Sequence, residues 1–127
     1  MGSQELFKAG SALAGGVAGR GDTCGALSGA IIAISSLVGR ERLEDGEQLA
    51  KSLEPADRVY MLFKEKIGHT LCYEIHKIRY GKVYRFFVPE EKEAFVNEGG
   101  HSRKGCPEVC GIAARIAADV IFDIKKG

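Results

Sequence analysis

The chain has 127 residues, of which 45% are hydrophobic and 28% are charged, with a formal net charge of +1. This length and composition are typical of one globular domain with a substantial core, so we assign residues 1–127 to a single domain. Because 18 basic residues are mixed with 17 acidic ones, the charge balance argues against nucleic acid or an anionic membrane surface as a partner.

The longest apolar stretch covers residues 26–38 and is interrupted by serines and Gly29. It is shorter than the roughly 20 residues that a transmembrane helix needs, so no membrane span is expected. No basic segment typical of a signal peptide follows Met1, which favours a cytoplasmic location. A removed targeting segment or an upstream domain stays open, and the domain is compatible with the C-terminal part of a longer chain.

The spacing of apolar and small residues predicts an all-α fold, a compact bundle of about five helices. The first predicted helix spans Gln4–Ala18. A loop at 19–23 follows, in which Asp22 or Thr23 is a suitable N-cap for the next helix because a short oxygen side chain can accept from exposed first-turn amides. The second predicted helix runs from Cys24 to Val38.

Three further helices complete the expected bundle, with a less regular part near residues 80–90. Residues 47–67 carry apolar side chains at helical spacing, with Pro55 marking a break or a new first turn. Residues 69–80 predict another helix, 83–88 have some strand character, and 90–98 predict a short helix. The final helix begins at the cysteine in position 106 and carries one apolar stripe.

Four cysteines, Cys24, Cys72, Cys106 and Cys110, offer the most informative chemistry in the chain. They are too few for a disulfide scaffold in a domain of this size, which favours reduced thiols that bind metal or undergo redox chemistry. Cys24 lies at a predicted helix start, where free amides and the helix dipole favour a thiolate. Gly25 directly behind it lets the backbone approach a bound group. A small hydrophobic residue at a tight packing contact is the alternative for Cys24.

The last two cysteines form a Cys-x-x-x-Cys pair on one face of the final helix. Cys106 opens that helix, and Pro107 suits its first turn. The pair can clamp one metal ion or supply two cluster ligands, and it lacks the Cys-x-x-Cys-His pattern that attaches haem. Cys110 also falls in the apolar stripe, so a place in the core is the alternative for this residue.

Histidines flank the remaining cysteine and allow a mixed metal site. His69 and His76 lie three and four residues from Cys72, and with Cys106 they offer the Cys/His set that structural zinc prefers. The competing interpretation, which we favour, is that both are partly exposed helix residues. His101, in a polar link, is expected to be solvated.

The segment that carries Cys24 resembles the C_GCAxxG_C_C family of redox-active proteins. The resemblance rests on the Cys-Gly-Ala-x-x-Gly element at 24–29 and on the Gly-Gly pair ahead of it. Cys72 matches the third cysteine of the family pattern and Cys106 matches the last. The early cysteine of that pattern has no counterpart before residue 24, and Cys110 stands where it can serve as a fourth thiol. The resemblance implies redox activity and iron–sulfur binding.

The leading hypothesis is an electron-transfer domain, more an electron carrier than an enzyme with its own substrate. It would hold an iron–sulfur cluster, with [2Fe–2S] favoured, on Cys24, Cys72, Cys106 and Cys110, and would exchange electrons with a redox protein partner. Two alternatives stay open: a structural zinc-binding module, and a metal-free dithiol oxidoreductase in which Cys24 is the attacking thiolate. The small-residue faces of the first two helices are larger than one domain can bury, so we also expect a homodimer.

Overall fold

The computed structural model describes residues 3–127, and all regular structure among them is helical apart from one isolated β-bridge. The helices are α1 (Gln4–Ala9), α2 (Gly25–Val38), α3 (Gly46–Ile67), α4 (Cys72–Tyr80), α5 (Pro89–Asn97) and α6 (Cys106–Lys126). A short 3₁₀ turn, Ser11–Leu13, follows α1. The predicted all-α fold and the irregular segment near residues 80–90 are confirmed, but the strand character expected at 83–88 is wrong, since these residues form no strand.

The core lies between α2, α3 and α6, the three longest helices, each of which turns one apolar face toward the other two. These faces are built from Leu27, Ala30 and Ile34 of α2, Val59, Phe63 and Ile67 of α3, and Val109, Ala113, Ile116, Ala117, Val120 and Ile121 of α6. Helix α4 adds Ile75 at one end of this core. Among residues 3–127, no helix is both long and apolar enough to cross a lipid bilayer.

Helix α3 is continuous through Pro55, so the predicted break at that residue is wrong. The carboxylate of Asp45 caps its start by accepting from the amide of Gln48 at 2.9 Å, and Gly68 ends it with a φ of 105°. The free energy gained by burying the α3 face that carries Val59 and Phe63 outweighs the proline's lost hydrogen bond.

The predicted helix over Gln4–Ala18 is also wrong, because α1 ends at Ala9. Residues 15–19 all have positive φ, between 52° and 74°, and form a left-handed turn. Glycine adopts these angles readily, and three of the five residues are glycine; Val17 and Ala18 are held there at a cost in strain.

We expect Gly16→Ala to destabilise the fold by about 2 kcal/mol or more, as judged by urea unfolding. Gly16 is buried with a φ of +74°, and a Cβ there would lie 2.6 Å from Cβ of Cys72 and 2.7 Å from the amide nitrogen of Asp22. Gly46→Ala is the matched control, since nothing lies within 4 Å of its Cβ position. Equal stabilities for the two variants would contradict the tight packing inferred at this turn.

Candidate redox centre

A short antiparallel bridge joins the segments that precede α2 and α4. The amide of Cys24 donates to the carbonyl of Thr70 at 2.9 Å, and the amide of Cys72 donates to the carbonyl of Asp22 at 2.6 Å. These two hydrogen bonds hold the starts of two helices side by side. They therefore bring together two cysteines that are far apart along the chain.

Both helices begin later in the chain than the sequence predicts. Cys24 itself takes the N-cap position of α2, so the predicted cap by Asp22 or Thr23 is wrong. Helix α4 begins at Cys72 and not at His69, because the imidazole Nδ1 of His69 accepts from the next two amides, at 2.9 and 3.1 Å, and holds a turn there. Both cysteines thus stand at helix starts.

A tight glycine loop places Cys106 at the start of α6, where the sequence predicted it. The amide of Cys106 donates to the carbonyl of Gly100 at 2.9 Å. A Cβ on Gly100 would overlap the ring of Phe95, and one on Gly105 would overlap the carbonyl oxygen of Gly100. The absence of side chains at these two glycines lets the loop close directly onto the first turn of α6.

All four cysteines line one cavity of about 640 Å³ that opens between α1, α2, α4 and α6. Cys72 is buried, Cys24 and Cys106 are half-buried, and Cys110 is exposed. The predicted alternative that Cys110 lies in the core is therefore wrong, since its turn of α6 faces the cavity mouth. Gly25 also lines the cavity, and a Cβ there would lie 3.2 Å from the carbonyl oxygen of Leu13.

Three of the four cysteines, Cys24, Cys72 and Cys110, have a raised pKa, and the charges of neighbouring cysteines are among the causes. Burial, with the charges of Cys24 and Cys106 as smaller causes, raises the pKa of Cys72 to about 12. Burial also raises the pKa of Cys110, with the charge of Cys106 as the second cause. A bound cation would offset this mutual repulsion and favour the thiolates.

The helix start at Cys24 does not by itself produce a thiolate. Burial raises the pKa of Cys24 above its usual value, and the amides of Ala26 and Leu27 lower it by a smaller amount. The expectation of a favoured thiolate at this helix start is thus wrong for the metal-free protein, because desolvation outweighs the amides.

Two residues of α4 contact the cysteines: His76, which the sequence analysis considered as a possible zinc ligand, and Tyr80, to which it gave no role. The Nε2 atom of His76 lies 3.5 Å from Sγ of Cys72, and the hydroxyl of Tyr80 lies 3.6 Å from Sγ of Cys106. His76 is only 1% exposed, so the prediction of a partly exposed side chain is wrong. The four residues from His76 to Tyr80 repeat the spacing from Cys72 to His76, and this is the signal that would have placed Tyr80 on the same face.

Among residues 3–127, the other two histidines make no hydrogen bond to a cysteine. His69 is half-buried in the turn before α4, and His101 is exposed as predicted, with its ring 5.3 Å from that of Phe95. Across the same range, no group of three or more His, Cys, Asp or Glu side chains is arranged to hold a single metal ion. The mixed Cys/His zinc site is therefore not preformed among these residues.

We predict that alkylation of the metal-free, reduced protein at pH 8 modifies Cys110 first and Cys72 last. Cys110 is exposed, whereas the pKa of about 12 at Cys72 leaves its reactive thiolate fraction roughly three orders of magnitude below that of an ordinary cysteine. Peptide mass spectrometry measures the order, and the denatured chain is the control in which all four react alike. Rapid modification of Cys72 in the folded protein would contradict its burial.

Comparison with family models identifies one family for this chain. The model described as "Putative redox-active protein (C_GCAxxG_C_C)" matches residues 1–120, which is nearly the whole chain. The chain therefore belongs to the C_GCAxxG_C_C family. Neither the curated proteins nor the solved structures provide a match.

Proposed function

We propose that this member of the C_GCAxxG_C_C family binds an iron–sulfur cluster and transfers electrons to a protein partner. The observation that supports this most directly is the convergence of four cysteines, from the starts of three helices, on one cavity. Thiolates are the usual protein ligands of such clusters. The proposed ligands are Cys24, Cys72, Cys106 and Cys110, with a [2Fe–2S] cluster favoured.

The residues of the chain fit such a group. A bound cluster would supply one-electron redox chemistry. Gly25 leaves the space beside Cys24 free of a side chain, and the amides of Ala26 and Leu27 in the first turn of α2 favour the thiolate of Cys24 by lowering its pKa. The burial of Cys72 keeps water away from that side of the cavity, while the exposed Cys110 lies on the side where a partner can approach.

A structural zinc site is the second candidate, and the geometry favours it less. Zinc needs four donors on a small tetrahedron with Zn–S distances of about 2.3 Å. The described side chains are not arranged around a single point in this way, so a lone ion would require the cysteines to move. A [2Fe–2S] cluster divides its four thiolates between two iron atoms, so it suits cysteines that line a wider cavity.

A metal-free dithiol mechanism is the third candidate. It needs Cys24 as the attacking thiolate at neutral pH, and low pKa values mark such residues. Burial instead raises the pKa of Cys24, and it raises the pKa of Cys72 to about 12. The electrostatics of the cavity therefore favour a metal-bound role for these sulfurs over a free nucleophile.

We expect anaerobic reconstitution with ferric iron and sulfide to give a coloured protein with equimolar iron and acid-labile sulfide. Cys24→Ser, Cys72→Ser, Cys106→Ser and Cys110→Ser should each lose most of the bound iron, because each removes one proposed ligand. Metal analysis and the visible absorption spectrum measure the loss. Ser28→Ala is the matched control, since it alters the same Cys-Gly-Ala-x-x-Gly element but removes no sulfur.

Each result decides between the candidates. Zinc uptake without labile sulfide would support the structural module, and a titratable thiol couple without metal would support the dithiol. Full iron binding by Cys110→Ser would show that another group completes the ligand set. A folded protein that takes up no iron under these conditions would rule out the proposed cluster.

The homodimer stays a prediction, and α1 offers a surface for it. None of the six residues of α1 is buried, and Phe7 is 84% exposed. We expect Phe7→Asp to shift sedimentation equilibrium toward the monomer by placing a charge in an apolar contact. Phe122→Asp, at a 65% exposed position on α6, is the control. A monomeric wild-type protein would contradict the dimer.

A further inference from the structure

Helix α4 reaches two different cysteines through one face. Cys72, His76 and Tyr80 follow at intervals of four residues, so their side chains lie along the same side of the helix. His76 contacts Cys72 on its own helix, and Tyr80 contacts Cys106 at the start of α6. One helix thus carries a cysteine and, one and two turns later, polar groups directed at the sulfurs.

We propose that Tyr80 is a positioning residue that holds the Cys106 sulfur through its hydroxyl and raises the reduction potential of the centre. This inference rests on the proposed function, because it assigns Tyr80 a role toward a cluster bound on Cys106. A metal-bound thiolate has no proton, so the hydroxyl is the donor in the contact. Donation withdraws negative charge from the sulfur and stabilises the reduced, more negative state.

The ring of Tyr80 is held in a fixed orientation by aromatic neighbours. It meets the ring of Phe95 edge-on, with centroids 5.4 Å apart and an interplanar angle of 88°. Tyr84 packs against it at 6.3 Å and His76 at 5.8 Å. Because these contacts surround the ring, the hydroxyl is directed at Cys106 before any cluster binds.

Arg79, the residue before Tyr80, joins α4 to α6 through hydrogen bonds. The guanidinium of Arg79 donates to the carboxylate of Glu108 at 2.7 Å and to the carbonyl of Lys104 at 3.2 Å. These bonds join the end of α4 to the first turn of α6 and to the loop ahead of it. The two hydrogen bonds of Arg79 therefore help the aromatic packing to fix the distance between Tyr80 and Cys106.

In the cluster-loaded protein, Tyr80→Phe should move the midpoint potential to a more negative value and shift the iron–thiolate stretching bands in resonance Raman spectra. Tyr84→Phe is the matched control, because it removes the same atom from the same aromatic cluster and, among residues 3–127, the hydroxyl that hydrogen-bonds to Cys106 is that of Tyr80. It should leave both readouts unchanged. Equal shifts in the two variants, or none in Tyr80→Phe, would overturn the proposal.

A second experiment tests the contact between the Tyr80 hydroxyl and the Cys106 sulfur in protein without a cluster. The chain has four tyrosines, so labelling Tyr at Cζ with carbon-13 gives four resolvable signals. We expect Cys106→Ala to move the Tyr80 signal and Cys110→Ala to leave it in place. A Tyr80 signal that does not respond to Cys106→Ala would overturn the positioning role.

The two experiments separate the two proposals. A protein that takes up no iron but whose Tyr80 signal responds to Cys106→Ala would rule out the proposed cluster and support the positioning of Cys106. A protein that binds the cluster but whose potential is insensitive to Tyr80→Phe would keep the proposed function and overturn the role of Tyr80.

Discussion

The candidate site depends on the short β-bridge between the segments ahead of α2 and α4. Its two hydrogen bonds, from Cys24 to Thr70 and from Cys72 to Asp22, use the backbone of the cysteines themselves. The backbone positions of the two residues are therefore set relative to each other independently of their side chains. Helix α6 adds the third and fourth cysteines because its packing in the core places its first turns beside this bridge.

The candidate site also requires neighbouring backbone segments to approach each other closely. Glycines allow this approach because they carry no side chain. Gly16 packs against Cys72, and Gly25 packs against the carbonyl of Leu13. The left-handed turn at 15–19 leads the chain into the bridge and holds Val17 and Ala18 at positive φ. Strain of this kind persists only where the surrounding structure enforces it, and here it lies directly beside the candidate site.

The electrostatics of the cavity favour protonated thiols, which bears on the proposed cluster. Burial and mutual repulsion raise the pKa of Cys24, Cys72 and Cys110, so the protons that these thiols hold would have to leave when a metal binds. Metal binding is then expected to release protons and to stabilise the fold, since the bound cation offsets the cost of gathering four sulfurs. Membership of a family described as redox-active agrees with a site of this kind.

Residue patterns along the chain were sufficient to predict the all-α fold and the starts of α2 and α6 to within one residue. They were also sufficient to identify the cysteines as the candidate functional residues. Helical spacing and glycine boundaries are local properties, so they can be recognised without tertiary structure. The left-handed turn after Ala9 and the buried position of His76 were mispredicted. The turn depends on contacts with the distant Cys72, and the burial of His76 depends on aromatic rings such as that of Phe95 from α5. Only the tertiary structure decided that the four sulfurs share one cavity, because their convergence results from hydrogen bonds and packing between segments that are remote in sequence.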